Sequence, residues 1–407
     1  MCLLINAITM IDKSTSYILC LNGGSSSLKF SLYNAGSIKA ELQGSVDRIG
    51  ADDGKMEIKS QDHFIFKGRE THYINIVDAA KAVIGWLKGN RDHFSIIAIG
   101  HRLVQGGPEH LEPKLITNDL LKSLHKYIYL APNHLPGEIG IIKAFRSAFR
   151  KVPQVACFDT SFHRHMPPQA KYYPLPIEYR EKGLIRYGFH GLSYGYIMEK
   201  LAERNRSLSK KKIIIAHLGN GASMAAVKNL VSIDTTMGIS PDGGLVMGTR
   251  SGDLDPGVPL FLLNQAKLST DELNDLMSKQ SGLKAIAGIS DVQQLLKNEG
   301  RDPKAKEALT LFCYQAKKFI GALAAAMSGL DMLVFTGGIG ENSAVIRERI
   351  CDGLDFMGIT IDKLFNNHGH ETISSATGHV KVSVIKTDEE WMIARLVCNV
   401  LNFTTKQ

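Results

Sequence analysis

Tyr17-Ile18-Leu19-Cys20-Leu21-Asn22-Gly23-Gly24-Ser25-Ser26-Ser27-Leu28-Lys29-Phe30-Ser31-Leu32-Tyr33 reads as a strand, a glycine turn and a second strand. Glycine lets the backbone bend tightly and approach a ligand closely, with N–H groups left to face an anion. The serine hydroxyls and the lysine add donors suited to phosphate oxygens. Far along the chain the plan returns: Ile213-Ile214-Ile215-Ala216 enters His217-Leu218-Gly219-Asn220-Gly221-Ala222-Ser223 and leaves through Met224-Ala225-Ala226-Val227. One such turn is an ordinary hairpin bend. Two in matching settings predict a duplicated α/β unit that holds one phosphorylated ligand between its copies.

The surrounding pattern agrees. Ser95–Gly100, Val155–Asp159, Ile213–Ala216 and Met332–Thr336 are short apolar runs with strand character, and Ala308–Met327 has helical periodicity. After Thr336 comes a third glycine turn, Gly337-Gly338-Ile339-Gly340-Glu341-Asn342, with a helix predicted over Ser343–Leu354. A glycine turn between a strand's end and a helix suits a nucleotide or phosphate. The expected organisation is an extension over 1–16, a first domain over 17–160 plus 388–407, and a second over 161–387. The final helix, Glu389–Leu401, is expected to pack back on the first domain.

A chain of 407 residues is long enough for two domains, and 44% apolar with 22% charged residues is an ordinary globular composition. The formal charge of +8 is scattered, with no basic stripe interleaved with aromatics, which speaks against nucleic acid as a partner. Six widely spaced cysteines form no C-x-x-C pair and fit a reducing, cytoplasmic setting. No apolar run reaches the roughly 18–20 residues that span a bilayer, so no membrane association is expected. The opening Met1–Ile11 lacks the basic region of a secretory signal. It reads as a poorly ordered extension, or as the result of a start codon upstream of a true initiator at Met10.

Several side chains stand where chemistry would need them. Arg102, in Gly100-His101-Arg102-Leu103-Val104-Gln105-Gly106-Gly107, is expected just past a buried strand. Arg250 lies in the turn-rich Thr249-Arg250-Ser251-Gly252-Asp253. The planar fork of arginine matches carboxylate and phosphate oxygens at two points. Asp159 and Glu389, at a strand end and a helix start, are candidates for holding magnesium, which takes one or two carboxylates directly. An acid at Glu389 also complements its helix dipole. His134, His190 and His217 lie in glycine- or proline-marked loops, and His368-Gly369-His370-Glu371 reads as a polar surface loop rather than a metal site. The P-loop, the protein-kinase catalytic loop and H-E-x-x-H are all missing from the sequence.

Taken in order, these blocks resemble the acetate kinase family. The resemblance rests on Leu21–Lys29, Gly100–Arg102, Phe158-Asp159-Thr160-Ser161-Phe162-His163, Tyr187-Gly188-Phe189-His190-Gly191, His217–Gly221, Met247-Gly248-Thr249-Arg250-Ser251-Gly252, Phe335–Asn342 and Thr387-Asp388-Glu389-Glu390. It implies a duplicated actin-like fold of two domains, shared with sugar kinases and heat-shock ATPases, with an interdomain active-site cleft. It implies a homodimer, and reversible in-line transfer of the ATP γ-phosphoryl group to acetate, giving acetyl phosphate and ADP. Mg²⁺ would be the metal, with Mn²⁺ an alternative.

By position, the resemblance makes Arg102 and Arg250 bind the carboxylate and the phosphoryl group in flight, and makes Asp159 orient the acetate and its arginine. His190 would steady the transition state. Val104, Phe189 and Pro241 would line the methyl pocket. Asn22, Ser25, Ser27 and Lys29 would face phosphates, as would His217, Leu218, Gly219, Asn220 and Gly221. Asp291, Val292 and Gln293, with Gly338, Ile339, Gly340, Glu341 and Asn342, would seat the nucleotide, and Asn22 and Glu389 the metal. Gln105, Asn133, Leu192, Tyr194, Gln293 and Asp388 depart from the usual family pattern, Asn133 at the acyl pocket and Gln293 at the nucleotide edge. Two rival readings are a kinase of propionate or another short-chain acid, and a non-catalytic actin-like nucleotide-binding protein.

Overall fold

The computed structural model describes residues 15–24, 26–60, 63–204 and 207–404; Ser25 and residues 1–14 of the expected extension lie outside them. The described chain separates into two compact units, one running to Ser161 and resuming at Asp388, the other spanning Phe162–Thr387.

In the first unit, β1 (Ser16–Gly23) and β2 (Ser27–Asn34) form a hairpin that sets Asn22 opposite Lys29 and Gly23 opposite Leu28. β3 (Ala40–Asp47), β4 (Lys55–Ser60) and β5 (His63–Lys67) continue the antiparallel run outward. On the other side of β1, β6 (Ser95–Leu103) and β8 (Gln154–Phe158) add in parallel, with the short β7 (Lys114–Leu115) at the edge. The order is β5-β4-β3-β2-β1-β6-β8-β7. Leu19, Leu21, Phe30 and Ile99 share a core with Ala80 and Val83 of helix Ile76–Gly89 and with Ile141 and Phe145 of helix Leu135–Ala148. Asn75 starts the first of these helices, its side chain accepting from the N–H groups of Val77 and Asp78.

The final helix, Glu389–Leu401, packs on β1, β6 and β8 of this unit. Its apolar stripe of Ile393, Ala394, Val397 and Cys398 has helical spacing. Gly100 permits the close approach, since a β-carbon there would stand 2.3 Å from Ile393 Cγ2.

The second unit repeats the plan. β9 (Lys212–Leu218), β10 (Ala222–Lys228) and β11 (Val231–Thr235) are antiparallel, while β12 (Met332–Thr336) and β13 (Lys381–Val384) add in parallel beyond β9. Its order, β11-β10-β9-β12-β13, matches β3-β2-β1-β6-β8 strand for strand. The duplication predicted from the glycine turns is therefore present in the sheets, and each turn is the first hairpin of its unit.

Two local expectations need correction. Arg102 lies within β6, which runs on to Leu103, because parallel pairing with β8 continues through Arg102 opposite Cys157. Gly337–Gly340 is not a loop before a helix: Gly337–Asn342 is itself helical, breaks at Ser343, and resumes as Ala344–Cys351. The Glu341 carboxylate reaches back to the Gly337 N–H at 2.9 Å, which holds the glycine-rich turn in helical form. Cys20, Cys157, Cys313, Cys351 and Cys398 are free and buried. Among the described residues no helix is long and apolar enough to cross a membrane.

Candidate active site

The end of β6 delivers Arg102 beside the first glycine turn. Its Nε and Nη2 both donate to Asp159 Oδ2, at 3.0 and 2.6 Å, and Nη1 donates to Asn22 Oδ1 and the Gly23 carbonyl at 3.2 and 3.1 Å. Asp159, 1% exposed, opens a short helical turn directly after β8. Burial works against the guanidinium's charge, but Asp159 and Glu389 outweigh it and hold the proton firmly. The parallel register that sets Leu103 beside Phe158 places Arg102 and Asp159 at the same sheet end. This is the position at which open α/β sheets bind ligands.

Three carboxylates crowd this end. Asn22 donates its amide to Glu389 Oε2 at 3.0 Å and to Glu390 Oε1 at 2.8 Å. Burial, then the charge of Glu389, pushes the Glu390 carboxyl up, while Lys29 and Asn22 oppose the shift. Glu138, on the first turn of helix Leu135–Ala148, accepts from the Val104 N–H through both oxygens, at 3.2 and 3.1 Å. Burial pushes it up to about 8 although Arg102 pulls the other way. Glu138 also lines a cavity of about 300 Å³ with Gly23, Gly24, Asn133 and His134. Val104 is buried, Ser27 half-buried and Lys29 exposed.

The second unit has its own cluster around the second turn. His190 has φ +58°, a conformation uncommon outside glycine, with Gly188 at φ +70° just before it. Its ring stacks on His217 at 4.3 Å and 23°. His190 Nδ1 lies 2.8 Å from Ser223 Oγ, and His217 Nδ1 lies 2.8 Å from Ser193 Oγ. Arg250 Nε pairs with Asp242 Oδ1 at 3.2 Å, and Nη1 donates to the Pro241 carbonyl at 3.2 Å. Burial raises the Asp242 carboxyl's pKa, against the pull of Arg250. Gly221 is where these groups converge: a β-carbon there would stand 3.3 Å from His190 Nε2 and 3.4 Å from Arg250 Nη1. Phe189 is buried, and its carbonyl lies 3.2 Å from His163 Nε2.

Around this cluster the backbone packs closely. Gly337, at φ +77°, sits on Leu218, and a β-carbon at Gly219 would stand 4.0 Å from the Gly338 nitrogen. The second and third glycine turns are thus neighbours, because β12 pairs with β9 up to Thr336 opposite His217. Gly248 has room only for hydrogen, lying against Asn220 Oδ1, with Ser290 close by. Asp291 caps helix Val292–Asn298 through the Gln294 N–H at 2.8 Å; Val292 is core and Gln293 exposed. Glu341 Oε1 also accepts from the Thr387 N–H at 3.0 Å, and Asn342 donates to the Gly338 carbonyl at 2.9 Å. Ile339 is half-buried and Gly340 buried.

Sequence reasoning missed Glu138, Asp242, Ser223, Glu390 and Arg347. Glu138 reads as helix-dipole complement and Asp242 as a turn residue, so no local signal marks either. Arg347 is 2% exposed and donates to the carbonyls of Gly340 and Glu341, each at 2.9 Å, and to Asn366. It braces the third glycine turn from below. His368 and His370 lie on an exposed loop, as expected, and among the described residues no group of three or more His, Cys, Asp or Glu could hold a metal by itself.

Comparison with known proteins gives the family. Residues 17–395 match the model of the acetokinase family. An acetate kinase of Coprothermobacter proteolyticus is 43% identical over 394 residues, covering 93% of this chain and 97% of that protein. One of Thermoanaerobacterium thermosaccharolyticum is 44% identical over 393 residues, covering 93% and 97%. The crystal structure of a propionate kinase from Francisella tularensis superposes with a TM-score of 0.88 at 38% identity, covering 95% of this chain and 100% of that one. That of Porphyromonas gingivalis acetate kinase gives 0.84 at 36% identity, with coverage of 95% and 100%.

Proposed function

The chain belongs to the acetokinase family, has the duplicated actin-like fold, and is a kinase that passes phosphate from ATP to the carboxyl group of acetate; within that activity we propose that Arg102 receives the carboxylate and Arg250 the phosphoryl group. The observation that carries this reading is the double hydrogen bond from Arg102 to Asp159, which fixes a cation beside a phosphate-type turn. Acetate is ionised at neutral pH, so it needs no strong base to attack. What it needs is a way to meet a second anion.

Each unit supplies groups suited to an anion. In the first, Arg102 neutralises the acid while Asp159 keeps the guanidinium plane in place. In the second, His190 and Arg250 stabilise the equatorial oxygens as the γ-phosphoryl group passes in line from ATP to the acid, with ADP leaving. The hairpin turn His217–Gly221 and helix Gly337–Asn342 seat the phosphates and adenosine of ATP, with Arg347 bracing the latter.

Asn22, Glu389 and Glu390 fit Mg²⁺ in the first unit. Two adjacent half-buried carboxylates, that of Glu390 raised by desolvation and then by the charge of Glu389, would be relieved by a hard divalent cation. When bound, the ion supplies positive charge to the phosphates. Asn22 Oδ1 already accepts from Arg102, so Glu389 is the stronger ligand of the pair named from sequence. Mn²⁺ satisfies the same oxygen donors.

A homodimer is the proposed assembly. Helix Gly257–Asn264 has no buried residue, and exposes Val258, Leu260 and Phe261, an apolar face suited to a second copy. A reducing cytoplasm suits the buried free thiols.

The test is hydroxamate formation from acetate, propionate and butyrate, with ATP, with and without Mg²⁺. Acid- and metal-dependent product with acetate preferred is expected. A methylene discriminates by only about 1–3 kcal/mol, so measurable propionate turnover is consistent with this reading. Nucleotide binding without acid-dependent ADP release would overturn it.

A further inference from the structure

Behind His190, on the side away from Gly221, three side chains form a line. His190 Nδ1 meets Ser223 Oγ at 2.8 Å, and Ser223 Oγ meets the Tyr194 hydroxyl in a short hydrogen bond. Ser223 and Tyr194 are both fully buried. Tyr194 sits one turn along helix Gly191–Arg204, and its N–H donates to the His190 carbonyl at 3.0 Å. One residue therefore grips both the backbone and, through the serine, the imidazole of the other.

We propose that Tyr194 is a positioning residue for phosphoryl transfer, holding His190 through Ser223 with Nδ1 as acceptor and Nε2–H aimed at the phosphoryl group. This rests on His190 acting at that group, as proposed above. The direction of the line follows from its chemistry. A phenol is a far stronger acid than an alcohol, so it donates the better hydrogen bond, and an imidazole nitrogen is the strongest acceptor of the three. Tyr194 O–H then donates to Ser223, Ser223 O–H donates to Nδ1, and the ring proton is left on Nε2. The hydrogen bond at one ring nitrogen sets the role of the other.

Geometry places that proton where it is useful. Nε2 is the nitrogen nearest Gly221, next to Arg250 Nη1. The ring plane is fixed by the His217 stack, and the Tyr194 ring by Phe162 and His163, each with centroids 5.6 Å away. His190 also holds a left-handed backbone conformation, which must be sustained by its surroundings. A donor already pointing at developing charge costs no reorganisation during the reaction.

Tyr194→Phe keeps the ring and its packing and removes only the proton. Its kcat is expected to fall on the order of 10-fold, as for other loss of outer-shell support, with KM for acetate and for ATP within about twofold. Histidine ¹⁵N spectra at pH 8 are expected to show His190 as the Nε2–H tautomer in the wild type and a tautomer mixture in the variant. Ser223→Ala, whose small side chain suits the same strand, should reproduce both changes if Tyr194→Phe folds poorly. A wild-type His190 carrying its proton on Nδ1, or a folded Tyr194→Phe with unchanged kcat and tautomer, overturns the proposal. His190→Ala separates the two layers. If it is crippled while Tyr194→Phe is not, the relay fails alone; if it keeps full turnover, the role of His190 fails and the relay with it.

Discussion

Arg102 and Arg250 occupy sister units of the same strand order, and an aspartate holds each, but not in the same way. Arg102 has every nitrogen engaged, two of them on one buried carboxylate oxygen. Arg250 pairs with Asp242 through Nε, and its contacts include a backbone carbonyl and the Met247 sulfur at 3.8 Å. The aspartates differ likewise, with side-chain exposures of 1% for Asp159 and 24% for Asp242. The two cations do not stand at matching places in the repeat: Arg102 is on β6, whose counterpart is β12, whereas Arg250 lies in the loop that follows β11. In the roles proposed above, a cation that receives a small acid in one orientation gains from a rigid mount.

That contrast orders the mutational effects. Asp159→Asn should be the harsher change, lowering kcat/KM for acetate by roughly 10²–10³-fold, because it leaves a buried guanidinium without its counter-charge. Steady-state kinetics at saturating ATP would show it, and near-normal kinetics would mean the rigid mount is irrelevant. Asp242→Asn should cost about 10-fold, since a partly exposed ion pair contributes less. Equal losses in the two variants would erase the distinction between the units.

A smaller effect concerns stability. The Glu138 carboxyl, raised by burial from 4.5 to about 8, holds its proton more tightly folded than unfolded. Its contribution is whole below pH 4.5 and is lost as pH rises through about 8. His101 and His163, pushed down to about 4 by burial, act oppositely, losing stability as pH falls below 6.5. They are common to wild type and Glu138→Gln, so the difference in Tm between the two proteins isolates the glutamate. That difference should change between pH 5 and 8 and be flat above. The second unit has no buried carboxyl raised so far among its described residues, which makes this a signature of the first.

How much of this was legible follows the same division. The glycine turns, the strands that lead into them, and the final helix could be read because their physics is local: glycine, apolar runs and helical spacing. β3 to β5 could not be singled out, since strands such as Ala40–Asp47 bury only Leu42 and Val46 and mix charge with apolar residues. Arg102 and Arg250 stood out by their glycine-rich company. The residues that aim them did not, because Asp242, Glu138, Ser223 and Arg347 acquire their roles only through contacts made across the fold. Asp291 shows the opposite case, a position named from resemblance whose visible contact is to its own helix. Tyr194 was noticed only as an unusual residue, and its partner on β10 explains why a hydroxyl stands there.

The claim on which the rest depends is that arginines oriented beforehand neutralise anions that would otherwise repel. Turnover and Mg·ADP affinity measured on one preparation of Arg102→Ala test it most directly. The account predicts a fall in acetate-dependent turnover of about 10³-fold, with ADP affinity kept within about threefold, as expected when a transition-state contact is lost and a nucleotide seat in the other unit is left intact. A variant that still phosphorylates acetate at a tenth or more of the wild-type rate would contradict it.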